Sequence, residues 1–415
     1  MLFAIVLTGC QPQPGAEPQR EEQPSVRPAP EARILPPDPA AVWPPRAVWV
    51  VRQAFKSPEE IAALMERCAQ AGMNTVLFQV RGNATSYYRS RLEPWSEQYD
   101  FKDPGFDPLE VACREAHRRG MALHAWVNVM PAWRGSQPPA NARHLYHTKP
   151  DWFLYDQRGR RQPLGDFYVS LNPCLPEARA HIVNVIADIT ARYPIDGVHL
   201  DYIRLPMESV PRGVDYPFDA PTLRHYRAAT GKAPADDSAA WTRWRQEQVT
   251  RLVADIRRSV KAIKPAVRLS AACMHDFNEA SSRFFQDGPA WLRANLLEAL
   301  FVMNYTPDTT LYRQRQEQWL RIAPGTRTAV VPGIGVYMHN SPNVTIAQLQ
   351  LAEQWGNGFA LFSYGAMLEP GAGAGLDALQ PTLASLAQRA ATARRSAEAR
   401  RTEPARPRRP IDLIP

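Results

Sequence analysis

Ile195-Asp-Gly-Val-His-Leu-Asp-Tyr-Ile-Arg-Leu-Pro206 is a short apolar run that delivers an acid to its far end. Val198, Leu200 and Tyr202 alternate with His199 and Asp201, the period-two pattern of a strand with two unlike faces. Arg204 and Pro206 then end the strand. A carboxylate at the C-terminal end of a strand, followed by a loop, is where parallel α/β barrels keep their chemistry. Taken alone, the segment fits equally an Asp that caps the next turn.

On either side of this segment, strand and helix signals alternate. Strands are expected over 46–52, 75–81, 121–128, 197–202, 267–274, 300–305, 328–337 and 358–364. Ser57-Pro-Glu-Glu60 and Asp107-Pro-Leu-Glu110 read as capped helix starts, with Pro at the first helical position, and Gly72 and Gly120 stop those helices. A long amphipathic helix from about Ala239 ends before Pro265, and a last one starts near Leu376. Eight strands separated by helices predict an α/β fold, a (β/α)8 TIM-type barrel, over 46–389. A doubly wound open sheet is the competing fold. No Gly-x-Gly-x-x-Gly follows the first strand, so that fold lacks its dinucleotide signature. The loops after the second, third and fourth strands are long and carry Tyr87, Tyr88, Trp95, Tyr99, Trp133, Trp152, Phe153, Tyr155, Phe167 and Tyr168. Loops on this side of a barrel build the active-site cleft, where aromatic rings either stack on sugars or fill small cores.

The flanks read differently. Residues Leu2 to Leu7 are apolar and run into Leu7-Thr8-Gly9-Cys10, similar to a lipoprotein signal ending at a lipidated cysteine. Residues 11–45, rich in Pro, Glu, Gln and Ala, are expected to form an extended linker, and 390–415 a basic disordered tail. The chain carries a formal charge of +8, but from Arg389 onward there are eight Arg against three acids. The basic balance therefore asks for no nucleic-acid surface, and no nucleic-acid partner is expected. The other four cysteines, Cys68, Cys113, Cys174 and Cys273, are widely spaced with no Cys-x-x-Cys pair, which argues against a zinc ribbon or a disulfide framework.

Phe78-Gln-Val-Arg-Gly82 with Tyr88 and Glu93-Pro-Trp-Ser96, Phe106-Asp-Pro-Leu109, Glu115-Ala-His-Arg-Arg-Gly120, Leu123-His-Ala-Trp-Val-Asn128, Leu171-Asn-Pro173 and Asp196-Gly-Val-His-Leu-Asp-Tyr-Ile-Arg204 occur in that order. The sequence thereby resembles the glycosyl-hydrolase-like family ten domain of bacterial lipoproteins, a family distinct from the family-ten xylanases. The resemblance runs from about Arg46 to Leu386. It implies a (β/α)8 barrel that cleaves glycosidic bonds, in one branch those of peptidoglycan glycan strands stripped of peptides. Many relatives carry a second Asp directly after the position of Asp201; here that position is Tyr202.

Most glycosidases use two carboxyl groups. Asp201 is the first expected, with Asp276 after the fifth strand as its partner, a position that fits equally a cap of the following loop, and Asp308 and Glu369 as substitutes. His199 shares a strand face with Asp201 and fits equally a group that orients or buffers it and a hydrogen-bonded histidine of the barrel interior. His124, Trp126 and Asn128 share one face of the third strand, and Gln79 with Arg81 ends the second, where Arg81 fits equally a structural partner that lowers the pKa of a carboxylate near it. Tyr202, Arg204, Asn304, Tyr305, Tyr364 and the loop residue Trp95 complete the expected sugar-binding set. No metal or other cofactor is implied, and a monomer is expected. Two other functions remain open at this level. One is a non-catalytic glycan-binding lipoprotein; the other is a metal-dependent carbohydrate deacetylase using His124, His199 and Asp201. A lipidated Cys10 followed by Gln11 would place the protein in the cell envelope, on an outer membrane facing the periplasm if the host has one.

Overall fold

The computed structural model describes residues 36–39, 42–205, 210–368 and 376–402. Cys10, most of the 11–45 segment and Glu369 lie outside the described residues.

Among the described residues ten strands form: β1 (Arg46–Val50), β2 (Thr75–Arg81), β3 (Ala122–Asn128), β4 (Pro131–Gly135), β5 (Gly165–Ser170), β6 (Gly197–Asp201), β7 (Arg268–Met274), β8 (Ala299–Met303), β9 (Ala329–Gly335) and β10 (Phe359–Phe362). Eight of them close a barrel in the order β1-β10-β9-β8-β7-β6-β3-β2, every neighbouring pair parallel. The expected (β/α)8 fold is the observed one. β4 and β5 form a separate antiparallel pair inside the long loop after β3.

Strand alternation sorts the residues as the sequence pattern requires. Leu123, Ala125, Val127, Val198 and Leu200 join the large core between strands and helices. Trp49, Leu77, Trp126, Phe301, Val331 and Ala360 form a second cluster that fills the barrel interior. Such an interior is a packed core, not a pore, and it gives the mouth a solid floor. The capping residues act as read: Ser57 accepts from the Glu60 N–H, and Asp107 accepts from the N–H groups of Leu109 and Glu110. Cys68, Cys113, Cys174 and Cys273 are buried free thiols.

The C-terminal helix departs from the expected boundary. It runs Leu376–Thr402, past residue 390, because the Ala-, Arg- and Glu-rich sequence there is made of strong helix formers. Arg389 ties it back through a two-pronged ion pair with Glu353. No helix among the described residues is long and apolar enough to cross a membrane.

Candidate active site

Asp201 is the last residue of β6 and is 7% exposed. Its Oδ1 accepts the backbone N–H of Tyr202 at 2.6 Å, and Nη1 of Arg204 stands 3.7 Å from the same oxygen. Tyr202 adopts φ +49°, the left-handed region that costs a non-glycine residue about 1–2 kcal/mol. This turn breaks the strand directly after the acid and bends the chain so that its own amide meets the carboxylate. The strand therefore ends one residue earlier than its alternation suggested.

The cleft over Asp201 holds about 410 Å³. One wall is built on the β4–β5 pair. Tyr168 meets the Tyr202 ring edge-on at 5.2 Å, and the Arg204 guanidinium lies 4.2 Å from the Tyr202 centroid. Arg134 sits over Tyr168 and donates from Nε to the Asp166 carbonyl at 2.7 Å. The opposite wall follows β8, β9 and β10. Tyr305 stacks on Phe362 at 5.3 Å and meets Trp49 and Tyr337 edge-on. A Cβ at Gly335 would fall 2.7 Å from the Tyr305 Cβ, so a glycine there leaves room for this ring. Burial, then the nearby Asp201 charge, push the Tyr305 phenol well above its ordinary range, so it keeps its proton beside the carboxylate.

Trp126 and Asn128 from β3 and Gln79 from β2 line the cleft as well. The Gln79 Oε1 is taken by the Arg52 N–H at 3.1 Å. Trp126 Nε1 and Asn128 Oδ1 are buried and have no hydrogen-bond partner among the described residues. A donor and an acceptor left open in this way at the wall of a cleft suit a hydroxyl-rich ligand.

Six expected site residues thus meet at one cleft: Trp126, Asn128, Asp201, Tyr202, Arg204 and Tyr305. The others are placed elsewhere. His199 is fully buried below, with Nε2 accepting from Trp49 Nε1 and Nδ1 at 3.0 Å from Ser270 Oγ, so it braces Trp49 instead of orienting Asp201. His124 lies across Gly197, where a Cβ would come within 2.5 Å of its ring, and burial holds its pKa down to about 4. Both are neutral interior histidines. Among the described residues no three His, Cys, Asp or Glu side chains converge so as to hold a metal ion.

Arg81 is sealed in an ion pair with Glu93 and does not reach the cleft. Asn304 donates to the Tyr312 carbonyl, and Tyr364 accepts from Arg67. Trp95 packs edge-on against Tyr99. Asp276 is exposed and caps the helix Phe277–Phe284, accepting from the N–H groups of Asn278 and Glu279. Asp308 caps Thr309–Ile322 in the same way. Asp201 is the one carboxylate among the described residues that line the cleft.

Trp49, Arg52, Arg134, Tyr337 and Phe362 line the cleft without having been singled out in the sequence. Trp49 was accessible to strand parity, sharing an inward face with Ala47 and Val51. Arg134 was not, because its strand pairs with a partner about thirty residues away and has no tight-turn signal between them.

A family model described as glycosyl hydrolase-like 10 matches residues 44–350. Glycosyl hydrolase DigH of Escherichia coli is 28% identical over 67% of this chain and 66% of its own length. Glycosyl hydrolase YngK of Bacillus subtilis is 31% identical over 51% of this chain and 38% of its own. The match therefore spans just under two thirds of the first relative and well under half of the second. Among solved structures, the glycoside hydrolase domain of PgaB from Bordetella bronchiseptica superposes with TM-score 0.58 at 15% identity, covering 83% of this chain and 98% of that one. The β-amylase catalytic domain of Paenibacillus polymyxa gives 0.60 at 10% identity, covering 82% and 98%. At such identities the likeness is one of fold. The family model covers most of the barrel, from the segment before β1 to the helix after β9. The chain belongs to the glycosyl hydrolase-like 10 family.

Proposed function

We propose that the protein is a glycoside hydrolase that cleaves O-glycosidic bonds of a cell-envelope polysaccharide, with peptidoglycan glycan strands as the leading candidate. The observation that carries this reading is Asp201. It stands at the C-terminal end of a barrel strand, backed by a backbone N–H and a guanidinium, and walled by aromatic rings. An acid in that position serves glycoside cleavage as one of the two carboxyl groups that protonate the leaving oxygen and stabilise or attack the anomeric carbon. Trp126 Nε1 and Asn128 Oδ1 supply hydrogen bonds for sugar hydroxyls, and Tyr305 supplies a protonated phenol next to the acid.

The protein would work at the envelope through lipid on Cys10, with the Pro-rich segment as a tether. Cys10→Ser should then move it from the membrane fraction to the soluble fraction.

A second reading, a barrel that binds glycan without cutting it, draws on Asp201 being the one carboxylate among the described lining residues. Incubation with peptide-free glycan strands and chitin-derived oligomers, followed by product mass spectrometry, separates the two. Shortened glycans support the hydrolase. Retention of intact glycan supports the binding module and refutes the hydrolase.

A further inference from the structure

Tyr337 is 58% exposed, and it is the one aromatic among the large apolar side chains left exposed in the described residues. It lines the Asp201 cleft. A singly exposed apolar side chain is ordinary, but one held on the wall of a cleft offers a ligand apolar area to cover. The residues around it hold it in place without covering it. Val336, just before it, is buried in the core. His339, two residues on, donates its backbone N–H to the Val336 carbonyl, and its Nδ1 stands 2.7 Å from Thr345 Oγ1. The ring itself meets Tyr305 at 6.0 Å and 82°, and Phe362 at 5.9 Å and 74°. Both neighbours brace it at near right angles, as edge-to-face partners do.

From this geometry we infer that Tyr337 is a stacking subsite for a pyranose ring of a glycan chain, adjoining the sugar that sits at Asp201. A braced, exposed ring by itself would accept any flat apolar surface. The same cleft, however, holds the unpartnered donor Trp126 Nε1 and acceptor Asn128 Oδ1. Apolar rim and polar interior together select a ligand with one apolar face and hydroxyls along its edge, which is the surface pattern of a pyranose. Tyr305 neighbours both Tyr337 and Asp201, so the subsite lies one aromatic ring away from the acid. The subsite would let the protein read chain length, holding longer glycans better than a disaccharide.

This inference rests on the glycan-active reading above, and the test keeps the two apart. Binding is measured by calorimetry on Asp201→Asn protein, in which turnover is slowed, using chitin-derived oligosaccharides from the disaccharide to the hexasaccharide and peptide-free glycan strands. Adding Tyr337→Ala should weaken binding of the longer chains by roughly tenfold, the effect of losing one aromatic contact. The disaccharide should change far less, and Tyr337→Phe should keep the affinity. Circular dichroism checks that each variant is folded. Equal affinity of parent and Tyr337→Ala for the long chains would overturn the subsite and leave the glycan reading standing. No binding of any of these glycans by the parent would overturn both.

Discussion

Arg81 and Glu93 face each other fully buried, with guanidinium Nε and Nη2 each 2.8 Å from a carboxylate oxygen. The remaining nitrogen, Nη1, donates to the carbonyls of Asn128, Val129 and Pro131, and so clamps the exit of β3. Val129 in turn donates its N–H to the Asp201 carbonyl at 2.8 Å. Of the two readings the sequence left open for Arg81, a cleft ligand or a structural partner of a carboxylate, the second holds: Arg81 is a clamp that keeps the strand end beside the acid.

Breaking that clamp from one side strands a buried charge. Arg81→Met is expected to destabilise the fold by about 3–5 kcal/mol, read from urea unfolding followed by tryptophan fluorescence. Wild-type stability in this variant would contradict the clamp.

The same pair predicts a pH dependence. Burial alone would raise the Glu93 carboxyl, but the Arg81 charge and the His181 hydrogen bond outweigh it and hold the pKa at about 2. A depressed carboxyl stabilises fully above its unfolded value and loses that contribution as pH falls toward the folded one. The window therefore runs from about pH 4.5 down to about 2. Acid unfolding of Glu93→Gln should lose stability less steeply across that window than the wild type. Identical slopes would show that Glu93 carries no linked proton there.

Asp276 caps a helix at the surface. Asp276→Ala should cost about 0.5–2 kcal/mol of stability, as for other caps, while leaving turnover on glycan near the wild-type rate. A fall of two decades in rate would return Asp276 to the chemistry.

The barrel was legible because the buried strands keep period-two alternation, and Asp201, Trp126 and Asn128 follow directly from that parity. What was not legible begins where parity stops. β8 ends at Met303, so Asn304 turns its amide to the Tyr312 carbonyl while Tyr305 enters the cleft. β10 ends at Phe362, and Tyr364 opens a short helical turn that carries its hydroxyl to Arg67. His124 and His199 keep the inward parity of Trp126 and Asp201 but lie deeper, where the floor needs packing. Strand pattern reports the face of a residue and not its depth. An acid just past a strand reads the same whether it points into a cleft or caps the next helix, which is why Asp201 and Asp276 looked alike.

The hydrolase proposal stands or falls on Asp201 performing chemistry. Its most direct measurement is the rate of glycan cleavage by Asp201→Asn, compared with wild type on whichever glycan the wild type shortens, with binding and circular dichroism measured on the same preparation. The amide keeps the shape and still accepts the Tyr202 N–H, so folding and glycan binding should persist. The rate should fall by about two decades or more, the scale of one lost acid–base group. A folded Asp201→Asn protein that turns over glycan at close to the wild-type rate would contradict the account.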